Sequence, residues 1–208
     1  MNNIPDNYRQ RGPLKAILLL ISLSLIAAAV TISTTRITRA RIEQNRQQFV
    51  LAHIQQAFPL DFNNDILTDT IHITDPVYFP ASHSIALYRA RADMNPAGVV
   101  FLPVVAEGYN GAIELAIGIS LDGTITGVLV TSHGETPGIG DRIDTNKTAW
   151  VNGFTGLKYW NRTGTDDTGR NRVDHLSGAT ITSRSIINTV NSTLEYYTLK
   201  HELLYQSP

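Results

Sequence analysis

An apolar run close to the amino terminus, Ala16 to Ile32, constrains this chain more than any other feature of its sequence. A membrane-spanning helix needs about 20 predominantly apolar residues, and this run of roughly 17 to 19 lies near that lower limit. Basic residues precede the run, and Arg36 follows it. The sequence therefore predicts one membrane anchor at residues 14–35, preceded by a tail at residues 1–13.

A cleavable signal peptide is the competing interpretation of the same run. It would also begin with basic residues, and Ala27-Ala28-Ala29 supplies a small-residue cleavage pattern. The length of the run favours an anchor, because the apolar region of a signal peptide usually has about 7 to 15 residues. Three cations precede the run and four follow it closely, so counting Lys and Arg does not decide which end is cytoplasmic.

A helical stalk is predicted after the anchor, at residues 36–59. No Gly or Pro occurs between Arg36 and Phe58, whereas Pro59 cannot donate the next helical hydrogen bond. The stalk leads into a single predicted domain, at residues 60–208, which contains the remaining sequence signals.

The domain is predicted to be α+β, because β-prone stretches lie in its centre and helices towards its ends. The stretches are Ile66 to Ile73, Ser84 to Arg91, Val99 to Ala106, and the two arms of a hairpin around Asp122-Gly123, Ile113 to Ile119 and Ile125 to Val130. A short helix is predicted at Asp144 to Val151, before a polar connection at Gly153 to Arg172. The last helix is predicted from about Thr182 to His201, because apolar residues recur there at helical spacing: Ile186, Val190, Leu194 and Tyr197.

The composition limits the chemistry that this domain can perform. The chain has no cysteine, which excludes disulfides, thiolate zinc sites, iron–sulfur clusters and cysteine nucleophiles. Redox chemistry would therefore need a bound organic cofactor. The formal net charge of −1 argues against a nucleic-acid partner. A dinucleotide-binding pattern begins at Gly138-Ile139-Gly140 but fails, because Ile143 occupies the position of its last glycine.

Small and hydroxyl-bearing residues precede the last predicted helix, in the stretch Asp174-His175-Leu176-Ser177-Gly178-Ala179-Thr180-Ile181-Thr182-Ser183. The unpaired N–H groups and the positive dipole end of a helix N-terminus suit a phosphate, and Gly178 allows the backbone to approach it closely. Thr182 or Ser183 is expected to cap the helix. From the residues alone, a capped turn without any ligand remains the simpler interpretation.

This stretch resembles the flavinylation motif of the FMN-binding domain family, through Ser177-Gly178-Ala179-Thr180, the following Thr182 and Ser183, and Asp174 before them. The resemblance implies that FMN is attached covalently to Thr180 through a phosphoester. A flavin transferase that takes FMN from FAD, using magnesium, would form this bond, and Asp174 would serve the attachment. The resemblance also implies cofactor contacts from neighbouring residues of the motif: Ser177, Gly178, Ala179 and Thr182.

A second stretch is similar to the segment that closes around the flavin in the same family. It comprises Glu107-Gly108-Tyr109-x-Gly111, then the hairpin, then His133-Gly134-Glu135-Thr136-Pro137-Gly138-Ile139-Gly140-Asp141. This similarity implies that four consecutive residues lie near the flavin: Glu135, Thr136, Pro137 and Gly138. Glu135 would accept hydrogen bonds or bias the protonation of the flavin, while Thr136 and the backbone of Gly138 would donate.

From about Lys15 to Tyr205, the chain resembles the G subunits of Rnf-type ion-translocating oxidoreductases. That resemblance implies an electron-carrier subunit that works with other membrane and redox subunits and has no useful turnover alone. It also implies a cytoplasmic N-terminus and a flavin domain on the periplasmic side of the bacterial inner membrane.

Two other functions remain as alternatives. A membrane-tethered binding module would hold a ligand without redox work, and a colourless purified protein that cannot be flavinylated would support it. A pseudopilin-like structural protein has a similar layout, an apolar N-terminal helix followed by a sheet. Its usual signature is a Gly cleavage site before the apolar run and a Glu at the fifth mature position. Here Pro13 follows Gly12 and Ile17 occupies the fifth position, which disfavours the filament interpretation.

Overall fold

The structure, a computed structural model, describes residues 11–158 and 173–205. The described part contains two α-helices, α1 (Arg11–Ala57) and α2 (Thr180–Leu204). Between them lie five strands: β1 (Thr70–Ile73), β2 (Ile85–Ala92), β3 (Asn95–Gly108), β4 (Gly111–Ser120) and β5 (Ile125–Ser132). Two short 3₁₀ helices, Gly140–Ile143 and Trp150–Phe154, follow β5. The predicted α+β class is confirmed.

The chain divides into two units, Met1–Gln48 and Phe49–Pro208. The described part of the first unit is helical and lies within α1. The helical segment Leu14–Ala57 is long and apolar enough to cross a membrane, judged by its length and composition, with a mean hydropathy of 2.5 in its most apolar stretch. Hydroxyl side chains in the apolar run donate to backbone carbonyls of the preceding turn, as Ser24 does to Leu20 at 2.9 Å. Such internal pairing matters in hydrocarbon, where no water is available to satisfy a polar group.

The second unit is built on one antiparallel sheet with the strand order β1-β2-β3-β4-β5. Successive side chains of a strand point to opposite faces of a sheet, and both faces of this sheet are covered. In β3, Val99 and Phe101 belong to the core beneath α2, whereas Val100 and Leu102 belong to a second core that includes the end of α1. Burial on both faces explains why this strand reads as a continuous apolar run rather than as an alternating one.

Helix α2 lies over one face of the sheet through its apolar stripe. Ile186, Val190 and Leu194 are fully buried, and Tyr197 is nearly so, which confirms the predicted stripe. At the C-terminal end of the helix, the buried Arg89 forms an ion pair with Asp69, and its guanidinium lies 3.5 Å from the carbonyl of Leu204. A cation beside the last carbonyls of a helix complements the negative end of its dipole.

The last turn of α1 packs against the opposite face of the sheet. Ile54, Ala57 and Phe58 are buried, and the Thr126 hydroxyl donates to the Ala57 carbonyl at 2.7 Å. A Cβ at Gly118 would lie 2.1 Å from that carbonyl oxygen, so the close approach requires glycine there. The division into two units follows residue 48. The boundary between stalk and domain at residues 59 and 60 stays a prediction.

Two predicted elements differ from the structure. The short helix expected at Asp144 to Val151 is absent, because the Asp144 carboxylate accepts the N–H of Asn146 at 2.8 Å and closes a local turn instead. The first predicted strand is shorter, since residues 66–69 form a turn in which Thr68 and Asp69 donate to a carbonyl at residue 65. The predicted polar connection lies outside the described residues beyond position 158.

Candidate functional site

A cleft of about 430 Å³ opens at the N-terminus of α2. Three segments form its walls: the turn between β3 and β4, the loop after β5, and the start of α2. The lining residues are Tyr109, Glu135, Thr136, Ile139, Gly140, Gly178, Ala179, Thr180, Ile181 and Thr182. The structure thus brings together the two stretches that the sequence analysis singled out, although about 40 residues separate them along the chain.

Of the ten residues that the resemblance assigns to cofactor contact or attachment, not all line this cleft. Six of them do: Glu135, Thr136, Gly178, Ala179, Thr180 and Thr182. The other four are exposed and lie outside the lining: Pro137, Gly138, Asp174 and Ser177.

Three lining side chains that belong to the two motif stretches, but were not among the implied cofactor contacts, are large, apolar and exposed. They are Tyr109 at 73%, Ile139 at 53% and Ile181 at 59% exposure. A signal for Ile181 is present in the sequence, because it precedes the helix interior and falls off the buried stripe that begins at Ile186. The helix does not bury Ile181 with its apolar stripe, and the side chain lines the cleft instead.

Helix α2 begins at Thr180, the exposed residue that the resemblance marks for attachment. Gly178, just before it, has a φ of +83°, a left-handed conformation that glycine adopts without strain. Ala179 occupies the N-cap position, and within the described part of the chain no side chain caps the helix. The N–H groups of the first turn are therefore not occupied by a capping side chain. An anion would bind favourably beside them.

The prediction that Thr182 or Ser183 caps the helix is wrong, because both residues lie inside the first turn. The Ser183 hydroxyl donates to the Ala179 carbonyl at 2.9 Å and accepts the N–H of Leu176 at 3.2 Å. Thr182 donates instead to a carboxylate from another segment. These hydroxyls satisfy groups of the preceding turn and of the neighbouring loop.

The segment before α2 is held from outside by two side chains. The indole N–H of Trp150 donates to the carbonyl of Asp174 at 2.6 Å, and Arg142 donates to the carbonyl of Ser177 at 3.3 Å. Leu176 is buried between these two points. The backbone that leads to Thr180 is thereby fixed before any ligand arrives.

Glu135 is a buried carboxylate, 6% exposed, at the back of the cleft. One oxygen accepts the backbone N–H of Asn110 at 2.9 Å, and the other accepts the hydroxyl of Thr182 at 2.8 Å. A Cβ added at Gly108 or at Gly140 would lie 2.3 Å from one of these oxygens. Two glycines thus leave the room that the carboxylate occupies.

The loop that carries Glu135 is closed by Asp141. This buried carboxylate accepts the N–H of Gly138 at 2.8 Å and forms an ion pair with Lys147. The Gly138 N–H, which was expected to donate to the flavin, therefore donates to Asp141 instead. The Lys147 ammonium and, after it, the Gly138 N–H hold the pKa of Asp141 below its usual value. The loop therefore keeps its shape through an ionised group.

The cleft combines a helix N-terminus that no described side chain caps with apolar walls. The first suits a phosphate, and the second suits a flat, largely apolar ring system. Its volume falls in the range of small-molecule sites, about 300 to 1,000 Å³. Among residues 11–158 and 173–205, no group of three or more His, Asp or Glu side chains could hold a metal ion.

The part of the chain that forms this site is similar to known proteins. Residues 108–195 match the family model described as the FMN-binding domain. The G subunit of the ion-translocating oxidoreductase complex from Pseudoalteromonas atlantica is 33% identical over 199 residues, which cover 91% of this chain and 90% of the relative. The corresponding protein from Vibrio cholerae serotype O1 is 30% identical, with 96% and 95% covered. The one from Escherichia coli O157:H7 is 32% identical, with 90% and 94% covered.

A solved structure, that of Shewanella oneidensis NqrC, is 22% identical. It aligns with a TM-score of 0.49 over 66% of this chain and 70% of the other. The segment that matches the family model, residues 108–195, contains every residue that lines the cleft.

Proposed function

The chain belongs to the family of G subunits of ion-translocating oxidoreductase complexes, and from this membership we propose that it is an electron-carrier subunit with FMN attached covalently to Thr180. The observation that carries the proposal is the position of Thr180. Its side chain is exposed, it is the first residue of an uncapped helix, and it lines the cleft. A phosphate bonded to this hydroxyl would lie beside the free N–H groups of the first turn.

Attachment is a transfer from FAD, catalysed by a flavin transferase with magnesium. The Thr180 oxygen forms a bond to the phosphorus of the FMN half, and the bond from that phosphorus to the AMP oxygen breaks. AMP leaves with the electron pair of the broken bond, and the hydroxyl proton of Thr180 passes to the surrounding water. Asp174 is exposed and lies six residues before Thr180, so its carboxylate is accessible to a transferase. We assign it to attachment rather than to redox chemistry.

The remaining cleft residues bind and shield the ring system. Tyr109, Ile139 and Ile181 supply apolar surface, while Thr136 offers a hydroxyl at the edge of the cleft. Pro137 and Gly138 shape the loop, with the Gly138 N–H fixed by Asp141. Ser177, Gly178 and Ala179 form the turn that presents Thr180. When bound, FMN accepts and releases one or two electrons, which suits a carrier between partners that differ in electron number.

A covalent tether also explains why such a carrier keeps its cofactor. The bond replaces a bimolecular binding equilibrium with a high local concentration of flavin in the cleft. We propose that the helix within Leu14–Ala57 anchors the chain in the bacterial inner membrane, with the domain on the periplasmic side. There it would exchange electrons with other subunits of the ion-translocating complex, without useful turnover alone.

The test is flavin fluorescence on a denaturing gel. Wild type, Thr180→Val and Thr198→Val are each co-expressed with a flavin transferase and exported in the same host. Thr198 is an exposed threonine further along α2, so it controls for the substitution itself. We expect fluorescent bands for wild type and Thr198→Val and a dark band for Thr180→Val.

Two results would contradict the proposal. A fluorescent Thr180→Val band would mean that the flavin is attached elsewhere. Dark bands in all three lanes, beside a flavinylated control protein that fluoresces, would favour a membrane-tethered binding module without redox function.

A further inference from the structure

Glu135 is the point at which the three walls of the cleft meet. It lies on the loop after β5, it accepts the N–H of Asn110 on the turn between β3 and β4, and it accepts the hydroxyl of Thr182 on α2. We propose that Glu135, through this bond from Thr182, is the positioning residue that holds the first turn of α2 in place for attachment at Thr180. This inference rests on the proposed function and deepens it.

The first turn of α2 needs support from outside the helix. Among the described residues no side chain caps it, and the turn contains no acidic residue of its own. Helix ends without such partners fray, and a negative charge near the N-terminus opposes fraying by favourable interaction with the dipole. Glu135 supplies that charge from a position 47 residues earlier in the chain.

The bond engages a side chain and leaves the backbone available. Glu135 accepts from the hydroxyl of Thr182, which is 1% exposed, and not from an N–H group of the first turn. Those N–H groups stay available for the phosphate on Thr180. A hydrogen bond to a charged group is stronger than a neutral one, and burial of both partners keeps water from replacing it.

The carboxylate itself has little freedom to move. The Asn110 N–H holds its other oxygen, and Gly108 and Gly140 enclose it at distances where no Cβ would fit. The position of Thr182, and with it that of Thr180 two residues earlier, is therefore set by the sheet and its loops rather than by the helix alone.

The position of the Thr180 hydroxyl, the nucleophile, controls the attachment rate. A nucleophile must approach phosphorus in line with the leaving group, and a misplacement of about 1 Å can slow such a reaction by about 100-fold. Loss of the Glu135–Thr182 bond should therefore slow attachment even in a domain that remains folded.

The experiment is a double-mutant cycle on the rate of flavin attachment. Full-length apoprotein in detergent is mixed with transferase, FAD and magnesium, and covalent flavin is followed by in-gel fluorescence. The variants are Thr182→Val, Glu135→Ala and their combination, with Thr182→Ser as the matched control that keeps the hydroxyl. Circular dichroism and the unfolding midpoint of each variant show that it is folded.

We expect each single variant to slow attachment about tenfold and the combination to slow it about tenfold as well, because Thr182→Val, Glu135→Ala and the double variant all remove the same bond. Thr182→Ser should react close to the wild-type rate. If Glu135 instead contributed directly to recognition by the transferase, the result would differ. Glu135 lies outside the attachment segment, so its loss and the loss of Thr182 would then slow attachment independently, and the two effects would multiply.

Two results would overturn the inference. One is a combined effect of about 100-fold, which would mean that Glu135 and Thr182 act separately. The other is a Thr182→Ser rate as slow as that of Thr182→Val, and this comparison holds even if Glu135→Ala fails to fold. If wild type itself receives no flavin, the proposed function fails; if wild type is labelled but the cycle is additive, only this inference fails.

Discussion

Replacement of Gly140 by alanine is expected to destabilise the domain by about 3 kcal/mol. The new Cβ would lie 2.3 Å from Oε2 of Glu135 and 2.9 Å from its Cβ, so the carboxylate must move. Overpacking of this kind costs about 1 to 3 kcal/mol, and the displaced carboxylate would also weaken hydrogen bonds worth about 1.5 to 3 kcal/mol.

Gly138→Ala is the matched control in the same loop. Gly138 has a φ of +80° but nothing within 4 Å of an added Cβ, so its substitution tests backbone strain without a steric clash. Strain of about 1 to 2 kcal/mol is partly offset by the lower entropy of the unfolded chain, which leaves a net cost of about 1 kcal/mol. Backbone strain and collision with Glu135 are thus separated within three residues.

The assay is urea unfolding of the full-length protein in detergent, followed by tryptophan fluorescence, with Trp150 as a reporter close to the site. The reasoning is refuted if Gly138→Ala destabilises more than Gly140→Ala. A cost below about 0.5 kcal/mol for Gly140→Ala, the level of an ordinary surface substitution, would equally remove Glu135 from the position assigned to it.

Two further predictions concern the loop and the end of α1. Because the folded pKa of Asp141 lies below its unfolded value of 3.8, its stabilising effect is complete above that pH and is lost as the pH falls through the lower folded value. The stability difference between wild type and Lys147→Met, measured by urea unfolding from pH 6 to pH 2, should therefore shrink in acid; a constant difference would contradict this. A chain that begins at Phe49 should fold. A chain that begins at Leu60 lacks the buried Ile54, Ala57 and Phe58, so its free energy of unfolding should be lower than that of the longer chain by about 4 kcal/mol or more. Equal unfolding midpoints for the two chains would contradict this prediction.

The parts of the fold that were predictable are those with local signals. The hairpin of β4 and β5 follows from alternation and from Asp122-Gly123, and α2 follows from its apolar stripe. The end of α1 was assigned to a separate stalk, because apolar residues such as Ile54 and Ala57 are sparse there and are surrounded by polar ones. Only the sheet, with glycine at position 118, reveals that they are core residues.

The candidate site was predictable to the same limited extent. Thr180 and its neighbours stand together in one stretch, so their chemistry could be inferred before their geometry. The role of Glu135 could not, because its partners Asn110 and Thr182 lie 25 and 47 residues away along the chain. The start of α2 was misplaced because Thr182 has the side chain of a cap but donates to that distant carboxylate.

Helix α2 is oriented by two charges that are not its own. Glu135 stands at its first turn and Arg89 at its last carbonyls, so each end meets the sign that its dipole favours. The direction of the helix is thus encoded in the sheet and its loops. A protein engineer who grafted residues 174–204 onto another scaffold would transfer the attachment threonine and leave behind both of the groups that orient it.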